Sequence, residues 1–323
     1  MSIPIRRCFL VAVCLAFPAV FSFSALGSDE IRRDFNVSPG GLLTVRAERA
    51  AIDVSAGQSG VVTVEIVSRG ASLDSLRDDY EIDLRQAGNE VIVELRSKRT
   101  LSRWFNWGAR RLDVVATVPL EFNVDLRTSG GGIAVSDLRG EARTTTSGGS
   151  IRLGRIEGPT RAQTSGGGIE LASALGDASL RTSGGGIRVG DVTGNLEART
   201  SGGSISIQRA SGRVRAETSG GGIKVEDVAG SIDARTSGGS VEARISRQPD
   251  GDCYLGTSGG GVRVSLAPDL RFNVDARTSG GRVRSALPLL VSGNLGGSRV
   301  EGELNGGGPK LTLRTSGGNI HLE

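Results

Sequence analysis

Thr-Ser-Gly-Gly recurs along this chain with a fixed spacing, and that spacing limits what the chain can fold into. The tetrapeptide begins at Thr128, Thr146, Thr164, Thr182, Thr200, Thr218 and Thr236, always 18 residues apart. Copies at Thr257 and Thr278 follow after 21 residues each, and a last copy at Thr315 follows after 37. A period in this range is the signature of a stacked repeat architecture, in which one short unit cannot bury its own apolar face and its neighbours do so.

Superposing the units gives columns with physical meaning. Five residues after each Thr stand Ile133, Ile151, Ile169, Ile187, Ile205, Ile223, Val241, Val262 and Val283. Two residues later come Val135, Leu153, Leu171, Val189, Ile207 and Val225, with polar residues such as Arg152, Glu170 and Lys224 between. This alternation is that of a strand with one buried face. A second run, Ala142, Thr160, Ala178, Leu196, Val214 and Ile232, precedes smaller residues such as Ala162, Ala198 and Ala216. A glycine separates the two runs in every unit, from Gly140 to Gly230. Each unit therefore reads strand, Gly corner, strand, Gly-Gly corner. Stacked about 4.8 Å apart, such units pair in parallel around one thin core. The sequence predicts an all-β fold, a single parallel β-solenoid (β-helix) with coils of about 18 residues. Its corner glycines are expected where φ is positive or backbones approach closely. The corner Thr shares parity with the inward Ala, so its hydroxyl is expected to turn inward or bond the next corner's backbone. The Ser is expected to do the same from the other side. Nine residues after the Thr, the column Asp137, Arg155, Ser173, Asp191, Arg209, Asp227 sets opposite charges on adjacent coils, worth about 0.2–1 kcal/mol per pair.

Residues 28–127 lack the corner but keep the strand pattern, as in Leu43 to Val45, Ala51 to Val54, Val61 to Ile66, Glu90 to Leu95 and Leu112 to Val118. They are expected to be less regular coils, the first acting as a cap. The 37-residue gap before Thr315 suggests two coils, one of them irregular, around 292–308. Either this Gly-rich region folds over the final coil, or that open end pairs with another molecule. The domain organisation is thus 1–27, 28–127 and 128–323, with one unusual insertion. There Trp104, Phe105 and Trp107 are interleaved with Arg103, Arg110 and Arg111. Two readings apply: an exposed aromatic-basic contact for glycan, lipid headgroups or a protein partner, and a hairpin whose aromatics cover the solenoid.

Residues 1–27 read as an export leader. Arg6 and Arg7 precede an apolar run from Cys8 to Phe23, and Ala25-Leu26-Gly27 supplies small residues for cleavage before Ser28. The run is short for a membrane span, and no integral membrane segment is expected in the mature chain. Arg6-Arg7-Cys8-Phe9-Leu10 also resembles a twin-arginine signal, although Ile5 and Val11 depart from it. Removing two arginines and no acid lowers the formal charge from +4 to +2. This near-neutral balance argues against nucleic acid as a partner. Cys8 and Cys14 lie in the leader, so Cys253 stands alone and no intrachain disulfide is available to the mature protein.

Chemistry-bearing motifs are scarce. One His, His321, and one mature Cys, Cys253, give little material for a triad or a soft metal site. A calcium β-roll would need Asp in its Gly-rich corners, which here carry Thr and Ser. A P-loop would need Gly-Lys-Ser/Thr, and a polysaccharide-cleaving solenoid would need clustered carboxylates. An ice-binding face would need outward Thr-x-Thr ranks, whereas the residue before each Thr is mostly Arg, Gln or Glu. No catalytic residue, metal or cofactor is assigned.

The strand pair from Leu43 to Val54, the segment Val115-Ala116-Thr117-Val118-Pro119, and the repeated Thr-Ser-Gly-Gly-x-Ile-x-Val units together resemble a known pattern. Asp191-Val192-Thr193-Gly194 and Asp227-Val228-Ala229-Gly230 belong to it as well. Over roughly 36–323 the chain resembles the DUF4097 family of bacterial candidate adhesins. The resemblance implies a β-solenoid and an adhesive role, and carries no catalytic motif. The resulting expectation is a non-enzymatic exported solenoid, in the periplasm or at the cell surface, binding a cell-surface glycan or protein. Two readings stay open beside it: a periplasmic structural or envelope-stress accessory protein self-associating through its solenoid ends, and an enzyme acting on polysaccharide.

Overall fold

A computed structural model describes residues 30–69, 78–98, 111–291 and 297–323. The protein is an all-β solenoid of two facing sheets, one of 14 strands and one of 15 among the described residues. The predicted columns are its core. Ile133, Ile151, Ile169, Ile187, Ile205, Ile223, Val241 and Val262 stand opposite one another in parallel register along the first sheet. All are almost completely buried, and burying a side chain of this size is worth about 1.5–3 kcal/mol. Facing them, the second sheet carries Ala162, Leu180, Ala198, Ala216 and Ala234 in register. These small side chains let the two sheets approach closely.

The Thr-Ser-Gly-Gly corner joins the sheets through a repeated hydrogen bond. Thr146 Oγ1 donates to the Gly131 carbonyl at 2.8 Å, and Thr200 Oγ1 to that of Gly185 at 2.7 Å. The same bond recurs at Thr164, Thr182, Thr218, Thr236 and Thr257. The threonine is buried and bonds the neighbouring corner, as its parity predicts. The serine differs from expectation: Ser147, Ser165, Ser183 and Ser201 are exposed, and only their backbones join the ladder. The corner glycines are required by close approach alone. At Gly203 a Cβ would overlap the carbonyl of Gly185 on the coil below, and none of the repeat corners has positive φ.

Stack order departs from sequence order at both ends. Gly41–Ala47 lies parallel between Glu90–Ser97 and Phe122–Thr128. Ala50–Gly57 lies likewise between Arg111–Pro119 and Ile133–Val135. The first coil in sequence is therefore inserted one place into the stack and is not the cap. Capping falls to antiparallel strands: Tyr80–Ala87 on Glu90–Ser97, Val61–Arg69 on Arg111–Pro119, and Glu30–Asn36 outside Val61–Arg69.

The other end repeats the device. Lys310–Thr315 lies parallel between Cys253–Thr257 and Phe272–Thr278, and Ile320–Leu322 between Val262–Leu266 and Val283–Ser285. The corner bonds give the same order: Thr315 Oγ1 donates to Gly260 and Thr278 Oγ1 to Gly318. The expected irregular coil around 292–308 is replaced by an antiparallel cap. Arg299–Leu304 pairs with Phe272–Thr278, and Leu289–Val291 pairs outside it. Within the Gly-rich region, Arg299–Leu304 thus covers the strand Phe272–Thr278 that precedes it in sequence and leaves the last coil inside.

A nearly buried carboxylate ties each insertion to its neighbours. Glu94 lies 2.8 Å from Arg96, 3.5 Å from Arg85 and 3.8 Å from Arg46. Asp275 receives Arg314 through both guanidinium nitrogens, with Arg277 at 3.0 Å and Lys310 at 3.6 Å. Burial works to raise the Asp275 carboxyl, but the hydrogen bond and charge of Arg314, together with the charges of Arg277 and Lys310, hold the group below its usual range.

Candidate functional site

With the inward columns committed to the core, functional chemistry falls to the outward ones. On the second sheet one outward column reads Arg143, Arg161, Ser179, Glu197, Arg215, Asp233. The next reads Thr145, Gln163, Arg181, Arg199, Glu217, Arg235 in the same register. Most of these charges are paired within one strand or across one step. Arg181 and Arg199 each reach Glu197 at 2.9 Å, Arg199 and Arg215 reach Glu217 at 3.3 and 2.7 Å, and Arg235 reaches Asp233 at 2.7 Å. Burial works to raise the Glu197 carboxyl, yet Arg181 and Arg199 hold it below its usual range.

The pairing lapses at Arg161. Its counterpart Arg143 bonds Glu141, two residues back, at 2.7 Å. At that offset Arg161 has Pro159, and among the described residues it makes no ion pair or side-chain hydrogen bond. Beside it Ser179 is short, and the face opens into a cleft of about 520 Å³. Arg161 and Glu141 stand at one end, Arg213 and Arg215 at the other, with Asp177, Ser179, Asn195 and Glu197 between. Asp177 Oδ1 accepts from Asn195 N at 2.7 Å, and Asn195 Oδ1 accepts from Arg213 N at 3.1 Å. Arg213 Nε donates to Ser231 Oγ at 3.2 Å and reaches no carboxylate. Sequence reasoning missed this cleft. The signal available was the substitution of Pro159 for an acid in the offset-two pattern.

The first sheet's charge column behaves differently from its sequence pattern. Arg209 pairs with Asp191 at 3.1 Å as expected. Asp137 instead accepts the backbone N–H of Arg155 at 2.8 Å, and the Arg155 guanidinium turns to Glu157 at 3.6 Å. A second cavity, of about 510 Å³, lies at the capped end among Ile31, Ile82, Leu84, Arg32 and Arg33. There Arg33 lies 5.3 Å from the centre of the Phe35 ring and donates to the Leu84 carbonyl at 2.7 Å.

Arg103, Trp104, Phe105, Trp107 and Arg110 lie outside the described residues, as does the leader 1–27. Arg111 opens the strand Arg111–Pro119 and pairs through its backbone with Arg69. His321 is half-buried, in register with Arg263 and Arg284. Cys253 is buried, and burial pushes its thiol up, away from nucleophilic character. Among the described residues no group of three or more His, Cys, Asp or Glu is arranged to hold a metal, and no helix is long and apolar enough to cross a membrane.

The sequence profile of the family described as Toastrack DUF4097 matches residues 42–323. No curated protein matches. Among similar solved structures is a candidate adhesin from Parabacteroides merdae ATCC 43184, 9% identical, covering 91% of this chain and 96% of that one, with a TM-score of 0.41. A candidate adhesin from Bacteroides fragilis NCTC 9343 is 12% identical, covering 91% and 97%, with a TM-score of 0.33. A candidate lipid binding protein from Parabacteroides distasonis ATCC 8503 is 11% identical, covering 90% and 96%, with a TM-score of 0.34.

Proposed function

This chain belongs to the Toastrack DUF4097 family, and we propose that it is an exported, non-enzymatic scaffold that binds a glycan or protein at the cell envelope. The observation that carries this reading is the division of labour in the coil. Glycines, threonines and aliphatic residues build a long, regular stack, leaving outward ranks of charged side chains on rigid strands. Such a surface makes many spaced polar contacts with little entropy left to lose on binding. Antiparallel strands close both sheets at one end and the second sheet at the other, which favours the broad lateral faces over the ends as the working surface. Export rests on the leader-like segment 1–27.

Fractionation of the source cells, combined with attachment assays using the purified exported chain, tests this reading. The expected result is protein in the envelope or extracellular fraction, and saturable attachment to cells or isolated envelope glycans. Retention in the cytoplasm, or attachment no better than a solenoid with its outward charges removed, would overturn it.

A further inference from the structure

The strongest unassigned feature is the cleft on the second sheet, where the regular pairing of charges fails. Three observations bear on what it takes. The first is charge. Arg161 has no partner among the described residues, and Arg213 touches only Ser231 through its side chain, whereas Arg143 and Arg215 are neutralised by Glu141 and Glu217. A guanidinium without an ion pair among the described residues therefore stands at each end, while the two glutamates that also line the cleft are already held, Glu141 by Arg143 and Glu197 by Arg181 and Arg199. The second is pre-organisation. One oxygen of Asp177 and the side-chain oxygen of Asn195 each accept a backbone N–H from the next coil, at 2.7 and 3.1 Å. These bonds fix both side chains at residues that line the cleft, and leave the second Asp177 oxygen as an acceptor and the Asn195 amide nitrogen as a donor without a partner among the described residues. The third is size. Arg161 and Arg215 lie three register steps apart, about 14 Å between their backbones, and the volume of about 520 Å³ falls in the range of small-ligand sites.

We infer that this cleft is a binding site for an acidic oligosaccharide, with its carboxylate held by Arg161 and its hydroxyls shared between Asp177, Asn195 and Arg213. The chemistry favours a composite ligand over simpler ones. An inorganic anion would use the guanidinium groups but would meet the Asp177 carboxylate. A neutral sugar would leave Arg161 unmatched. A saccharide bearing carboxylates and hydroxyls satisfies both, since guanidinium binds carboxylate bidentately and a fixed carboxylate accepts from hydroxyls. The inference rests on the binding-scaffold reading above and names the ligand class for one site on it.

Isothermal titration of the full exported chain with trigalacturonate, its methyl-esterified neutral counterpart and inorganic phosphate tests the assignment. Trigalacturonate binds and the neutral trimer binds at least about tenfold more weakly, the loss expected when a charge-assisted contact is removed. Arg161→Ala and Arg213→Ala each weaken trigalacturonate about tenfold or more. Arg152→Ala, which removes an unpaired arginine from the opposite sheet, leaves it unchanged. Arg161 and Arg213 are exposed, so unchanged melting temperatures in their variants confirm that the losses are local. Equal affinity for both trimers, phosphate binding as tight as trigalacturonate, or indifference to Arg161→Ala overturns the assignment. Attachment to envelopes that persists in the Arg161→Ala, Arg213→Ala double variant overturns it too, while leaving the scaffold reading intact. Loss of all attachment by the unmodified chain defeats the scaffold reading instead.

Discussion

Two threonines on one strand should respond oppositely to the same substitution. Thr144 and Thr146 both lie on Ala142–Thr146 with their side chains inward, 1% and 2% exposed. They differ only in what the hydroxyl meets. Thr146 Oγ1 donates to the Gly131 carbonyl at 2.8 Å and accepts the Gly149 N–H at 3.3 Å. Thr144 Oγ1 has no hydrogen-bond partner. Valine matches threonine in shape and suits a strand equally well, so the substitution isolates the hydroxyl. At Thr146 it removes a bond and leaves a part-buried carbonyl without that donor, a loss of about 0.5–2 kcal/mol. At Thr144 it relieves an uncompensated buried polar atom, a gain of about 1–2 kcal/mol. Urea unfolding followed by circular dichroism measures both: the midpoint should fall for Thr146→Val and rise for Thr144→Val, with the slope unchanged. Midpoints moving in the same direction would refute the reasoning. It would mean that burial, and not the corner hydrogen bond, sets the value of a threonine in this stack.

Asp275 gives a pH-dependent prediction. Its folded pKa is lowered, Arg314, Arg277 and Lys310 together prevailing over burial, so its contribution is present above the unfolded value of about 3.9 and fades as pH falls through the lower folded value. Asp275→Asn should cost about 1–3 kcal/mol at pH 7, because it leaves the partly buried Arg314 without its counter-charge, and should cost less in acid, where the wild-type carboxyl is protonated and so neutral too. Urea midpoints in both conditions would expose a pH-independent loss, which would contradict the ion-pair account. Deleting 310–323 should be more damaging than deleting Glu30–Asn36, although both lie near a sequence end. The first removes an interior coil and bares a strand on each side of it, and the second removes only an edge strand. Melting temperature and light scattering would separate the two, and comparable stability would contradict the stack order described here.

Coil length, strand positions and the inward hydroxyl of the corner threonine were readable from the sequence because each follows from spacing and parity. Stack order was not. An 18-residue period states how long a coil is and is silent on which coil lies beside which, so the strands 41–57 and 310–322 were read as ends. The exposure of Ser147 and its equivalents was missed because the corner turns the chain, and parity argued across a turn fails. The glycines were legible as obligatory but for a choice of two reasons, and only the backbone contact at positions such as Gly203 selects between them. The cleft escaped because attention to Trp104 and its neighbours rewards conspicuous side chains. Its defining feature is a missing one, the acid that Pro159 replaces.

The inserted coils also set the order in which this protein reaches its final shape. In the regular stack a strand finds its partner 18 residues away, as Glu141 finds Asn123. Residues 310–322 find one set of partners 37 residues back, as Leu311 finds Val274, and the other 58 residues back, as Lys310 finds Asp252. Closing the longer loop costs about 1 kcal/mol more in chain entropy, a modest sum, but the topology matters more than the sum. A chain synthesised N-terminus first delivers coils 253–266 and 272–285 before the segment that belongs between them. They stay unsealed until it arrives. Growth from one end is thus followed by a late closure from within, and the last seam of the solenoid is sewn only after the coils on both its sides have been delivered.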